Sequence, residues 1–78
     1  MTDLKETLCN IAKAIVETPD AVSVDERTDG KKVHLTLHVA DDDMGMVIGK
    51  NGKIAKAIRT VMRAAAMADH RDVNVEIR

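Results

Sequence analysis

Val47-Ile48-Gly49-Lys50-Asn51-Gly52-Lys53-Ile54-Ala55-Lys56-Ala57-Ile58 is the stretch that decides the fold. Two glycines flank two polar residues, an apolar pair precedes them, and an amphipathic pattern follows. Glycine lets the backbone turn through conformations closed to other residues and lets another chain approach where a Cβ would block it. The pattern after Gly52 predicts a helix, whose first N–H groups and positive dipole end favour phosphate. Lys50, Lys53 and Lys56 put mobile positive charge around the same point. Together these features describe a G-x-x-G loop suited to gripping a sugar-phosphate backbone.

Working outward, the spacing predicts the order α-β-β-α-α-β. Upstream, Asp3 and Glu6 form a capping-box pattern for a first helix, in which Leu4, Leu8, Ile11, Ala12 and Ile15 make one apolar stripe. Thr18-Pro19-Asp20 stops it. Val22 and Val24 alternate with Ser23 and Asp25 as a short strand, and Thr28-Asp29-Gly30-Lys31 signals a hairpin. Val33, Leu35, Leu37 and Val39 then alternate with His34, Thr36 and His38. Asp41, Asp42 and Asp43 are expected to cap a short helix over residues 44–48. A long alanine-rich helix is predicted from Lys53 to about Met67, and Val73, Val75 and Ile77 alternate in a last strand. Two helices between the second and third strands make those strands parallel, while the hairpin makes the first two antiparallel. Each strand has one apolar face. The expected fold class is therefore α+β, a three-stranded mixed sheet with helices packed on one face, spanning residues 1–78 as one domain.

Composition removes several alternatives. The chain has 78 residues, 45% of them hydrophobic, and no Phe, Tyr or Trp. RNA-recognition motifs, cold-shock domains and many OB-folds stack bases on aromatic rings, so those modules are excluded. The net charge is −1, but it is polarised: residues 1–45 carry −5 and residues 46–78 carry +4. From Met46 to Ala68 there are five cations, Lys50, Lys53, Lys56, Arg59 and Arg63, and no acid. A local phosphate-binding surface needs that distribution. Cys9 is the one cysteine, no apolar run approaches the roughly 18 residues that span a bilayer, and Met1-Thr2-Asp3-Leu4-Lys5-Glu6 lacks the layout of a secretory leader. The expected location is the cytoplasm.

The residues quoted above, with Asp42-Asp43-Met44-Gly45 before them and Arg59-Thr60-Val61 after, resemble a type II KH domain. The resemblance extends over essentially the whole chain and is closest to the KhpA family of small bacterial single-KH RNA-binding proteins. It implies a non-enzymatic protein that grips about four nucleotides of single-stranded RNA backbone at Gly49 and Gly52. It also implies an RNA chaperone or post-transcriptional regulator that forms a homodimer and pairs with a second KH protein of KhpB type. Bases would lie in a groove between the paired helices and an edge strand, here Val73–Ile77. Two other readings stay open: an interaction or dimerisation module with weak or lost RNA binding, and a ribosome-assembly factor.

The RNA-binding residues expected on these grounds are Ile48, Gly49, Lys50, Asn51, Gly52, Lys53 and Lys56. Lys50 and Lys53 are the best phosphate contacts, Asn51 is a phosphate or sugar contact or only a turn former, and Ile48 is an aliphatic wall for bases or part of the core. A helical wheel places Ile54, Ala57, Ile58, Val61, Met62 and Ala65 on the core side, with Lys56, Arg59, Thr60, Arg63 and Met67 outward. An outward Met67 is a partner-surface candidate. His34 and His38 lie roughly 13 Å apart on a strand at about 3.3 Å per residue, too far to share a metal ion. The run Gly45–Asn51 is one residue short of a nucleotide P-loop and lacks its Ser/Thr. No nucleophile–base pair or carboxylate cluster points to catalysis, and no cofactor is expected.

Overall fold

A computed structural model describes residues 3–78; Met1 and Thr2, part of the stretch inspected for a leader, lie outside the described residues. Its helices and strands follow in the expected order: α1 (Leu4–Ile15), β1 (Ser23–Asp29), β2 (Lys32–His38), α2 (Met44–Ile48), α3 (Lys53–Ala68) and β3 (Asp72–Ile77). Single 3₁₀ turns at Pro19–Ala21, Asp41–Asp43 and Lys50–Gly52 punctuate the connections. The strands lie side by side as β1-β2-β3, with β1 antiparallel and β3 parallel to the central β2. This is the α+β arrangement of a type II KH fold.

Alternation decides which sheet face is covered. Val33, Leu35 and Leu37 of β2, Val24 of β1, and Val73 and Val75 of β3 are buried, facing Leu4, Leu8 and Ala12 of α1 and Ile58, Met62 and Ala66 of α3. His34, Thr36 and His38 line the other, open face, where His38 Nε2 lies 3.0 Å from Asp25 Oδ2. Strand β1 runs four residues further than its apolar alternation, to Asp29. Asp29 pairs with Lys32 across a two-residue turn whose first residue, Gly30, has φ 61°, so hairpin geometry rather than burial holds Glu26-Arg27-Thr28 in register.

The start of α1 follows the sequence signal, since Asp3 accepts from the Glu6 N–H at 3.1 Å. The three aspartates do not. None forms a side-chain cap on the 3₁₀ turn or on α2. Asp43 is instead buried, at 2% exposure, and its two oxygens accept from the backbone N–H groups of Glu17 (3.3 Å) and Thr18 (3.0 Å). It buckles the chain leaving α1 to the base of α2. A carboxylate serves here because it accepts several N–H donors that no helix or strand has engaged.

The wheel for α3 also needs correction. Its buried residues are Ala55, Ile58, Met62 and Ala66, whereas Ile54 is 39% and Val61 51% exposed and Ala57 faces solvent. The helix is rotated by most of one residue step from the predicted face. Alanines extend its apolar arc over more than half the circumference, so periodicity alone does not select the contact line. The small Ala55 and Ala66 bring the backbone close to its neighbours, leaving the larger Ile54 and Val61 outside.

Candidate nucleic-acid interface

The turn between α2 and α3 is built from an unusual run of backbone conformations. Gly49 ends α2 with φ 75° and ψ 174°, a region essentially restricted to glycine. Asn51 (φ 59°, ψ 25°) and Gly52 (φ 73°, ψ 16°) are both left-handed, and Lys53 returns to the helical region. Hydrogen bonds hold the shape: Gly49 N–H to the Gly45 carbonyl at 2.8 Å, and Gly52 N–H to the Gly49 carbonyl at 3.2 Å. The two glycines are required for different reasons. A Cβ on Gly49 would stand 2.9 Å from the Ile54 backbone nitrogen and collide with the Ile54 side chain, whereas a Cβ on Gly52 would meet nothing within 4 Å. Gly49 gives room to Ile54. Gly52 gives only its φ.

The loop delivers the chain into α3, 16 residues long, with no side-chain cap and no acid in its first turn. Its leading N–H groups and dipole end are left to whatever anion approaches. Lys50, Asn51, Lys53 and Lys56 are all exposed around this end, and Gly52 is half-buried. Ile48, on the last turn of α2, is 39% exposed, whereas Val47, fully buried, is the core residue of the pair. The expected site residues thus fall within one continuous segment on one end of the molecule.

Two residues that the sequence assigned only to the outer side of α3 extend this surface. Lys56, Arg59 and Arg63 stand at i, i+3 and i+7, which places them in one file along the helix. Arg59 turns to the sheet edge, its Nε donating to the Val75 carbonyl at 3.2 Å. Arg59 and Arg63, with Val73, Asn74 and Val75, line a groove of about 190 Å³ between α3 and β3. The i, i+3, i+7 spacing was visible in the sequence, and the resemblance implied a groove against Val73–Ile77; the bond from Arg59 to the Val75 carbonyl was not visible.

A family model described as the KH domain of KhpA/KhpB matches residues 5–77. The chain belongs to the KhpA/KhpB family. Among similar proteins, the RNA-binding protein KhpA of Clostridium acetobutylicum is 53% identical over 74 residues, covering 95% of this chain and 99% of that one. KhpA of Halalkalibacterium halodurans is 47% identical, with 95% and 97% covered, and KhpA of Treponema pallidum 40% identical, with 94% and 91% covered. The family is one of RNA-binding KH proteins rather than enzymes, in agreement with the expectation from the sequence. Among solved structures, Aquifex aeolicus Era superposes with a TM-score of 0.69 at 20% identity, over 95% of this chain and 29% of Era. At that identity the match speaks for the fold alone. Among the described residues, no helix is long and apolar enough to cross a membrane.

Proposed function

We propose that this chain is a non-enzymatic RNA-binding protein that grips single-stranded RNA through the Gly49–Gly52 loop. One observation carries the reading: an uncapped, acid-free helix N-terminus entered through a glycine turn and ringed by Lys50, Lys53 and Lys56. The curated relatives, named RNA-binding proteins, support it. In this reading the backbone of about four nucleotides lies across Gly49 and Gly52. Lys50, Lys53 and Lys56 contact phosphates, Asn51 bonds a phosphate or sugar oxygen, and Ile48 is the aliphatic surface beside the first base. The open sheet face mixes Asp25, Asp29, Asp72 and Glu76 with Arg27 and Lys32, so its acids offset its cations and it offers RNA no acid-free cationic field like that of the loop.

A single unit that clamps so few nucleotides gains affinity by acting beside another. Self-association, or pairing with a KH protein of KhpB type, supplies that second unit, in keeping with an RNA chaperone or post-transcriptional regulator in the cytoplasm. The surface best suited to self-association is the exposed row Ile54, Ala57, Val61, Ala64 and Ala68 along α3. Met67, although 72% exposed, lies on another side of the helix and has no apolar row beside it. The test of RNA binding is fluorescence anisotropy with one labelled RNA, presented as a single strand and as a duplex with its complement. The reading predicts tighter binding of the single strand; equal or tighter binding of the duplex contradicts it.

A further inference from the structure

The loop that grips RNA in the reading above also contains the dipeptide Asn51-Gly52, which has a chemistry of its own. The backbone nitrogen after an asparagine can attack the side-chain Cγ. The nitrogen gives its proton to water, the new N–Cγ bond closes a succinimide, and the amide nitrogen leaves as ammonia. Water then opens the ring at one of its two carbonyls, leaving aspartate or isoaspartate. Glycine in the second position favours the attack, because no Cβ shields the nitrogen. The chain has three asparagines. Asn10 lies within α1 before Ile11 and Asn74 within β3 before Val75, where regular backbone and a β-branched neighbour hold the next nitrogen off.

Asn51 differs from both. It is exposed, and its backbone is left-handed, with φ 59° and ψ 25°. At that ψ the Gly52 nitrogen is turned away from the Asn51 Cβ, and its N–H is donated to the Gly49 carbonyl at 3.2 Å. The closed loop therefore holds the nitrogen out of reach. Rotation about ψ breaks that hydrogen bond and opens the turn, and nothing stands within 4 Å of the position a Cβ on Gly52 would take. Once open, the nitrogen reacts in a field that favours it. The uncapped start of α3, with Lys50 and Lys53 beside it, stabilises negative charge on the attacking nitrogen and on the oxygen of the tetrahedral intermediate.

We infer that Asn51 is a self-modification site at which the unoccupied loop converts its asparagine to an acid and loses its grip on RNA. The inference rests on the RNA-binding reading above. Either product sets a carboxylate where that reading places a phosphate. Isoaspartate also lengthens the backbone by a methylene inside the turn, which moves Gly52 from the helix entry. A strand lying across Gly49 and Gly52 keeps the turn closed, so bound copies are protected and free copies age.

The test incubates the protein in mildly alkaline buffer, alone and with single-stranded RNA. Peptide mass mapping follows conversion at each asparagine, and anion exchange isolates the acidic product for anisotropy. Asn51 converts in the free protein while Asn10 and Asn74 do not. RNA at about ten times its Kd slows the conversion about ten-fold, by withdrawing the open form. The acidic product binds single-stranded RNA at least about ten-fold more weakly than the parent. Asn51→Gln, which would have to close a larger ring, keeps its own starting affinity through the same incubation. No conversion at Asn51 in the free protein, equal conversion with and without RNA, or an acidic product with the parent's affinity overturns the inference. A parent protein without affinity for single-stranded RNA before incubation is a different result: it removes the RNA-binding reading and this inference with it.

Discussion

Ile54 occupies the space in which a side chain on Gly49 would stand. A Cβ there would come within 2.9 Å of the Ile54 backbone nitrogen, at a backbone φ of 75°. Gly52, three residues on, has a similar φ of 73° and open space around it. The two glycines of the loop therefore predict different outcomes on substitution. Gly52→Ala should cost only the left-handed conformation, about 1–2 kcal/mol. Gly49→Ala adds overpacking against Ile54 and should cost about 3 kcal/mol or more in all. Urea unfolding of both variants checks the ranking, and an equal or reversed order would count against this packing.

Asp43 predicts a second stability effect. Asp43→Ala strips the acceptor from the Glu17 and Thr18 N–H groups and should destabilise the protein by about 1–3 kcal/mol. Asp41→Ala and Asp42→Ala, at exposed positions without side-chain caps, should stay within about 0.5 kcal/mol of the parent. Chemical denaturation of the three variants separates a buckle from a cap: similar losses at all three positions would restore the capping role.

The contrast between Asp43 and Gly49 shows what was legible in the sequence. The glycine loop, the hairpin at Asp29-Gly30, the alternation of β2 and the order of elements are local signals, and all appear in the structure. What was missed depends on residues far apart in the chain. Asp43 finds its partners 25 and 26 residues away, which no spacing rule anticipates. The rotation of α3 is set by how closely Ala55 and Ala66 let it approach its neighbours. Arg59 finds its hydrogen-bond acceptor, the Val75 carbonyl, 16 residues downstream.

Self-association follows from the rotated α3. If the exposed row is the contact, Val61→Glu should move a dimer toward monomer without unfolding it, whereas Met67→Glu should leave the association unchanged. Sedimentation equilibrium across micromolar concentrations makes the comparison. A single 8.5 kDa species at all concentrations in the parent protein would refute self-association.

Salt dependence measures how many phosphates are held. With Lys50, Lys53 and Lys56 as three contacts at about −0.7 each, the slope of log affinity against log salt should be near −2. A slope steeper than about −5 would indicate a broad electrostatic surface in place of a local clamp.

The most direct test of the account is the double variant Lys50→Asp/Asn51→Asp, assayed for binding to single-stranded RNA by anisotropy alongside its melting curve. Both side chains are exposed at the turn, so the melting temperature should stay close to that of the parent. Two carboxylates set against phosphates at contact distance should cost several kcal/mol and lower RNA affinity at least about 100-fold. A folded variant that keeps the parent's RNA affinity would contradict the assignment of the Gly49–Gly52 loop.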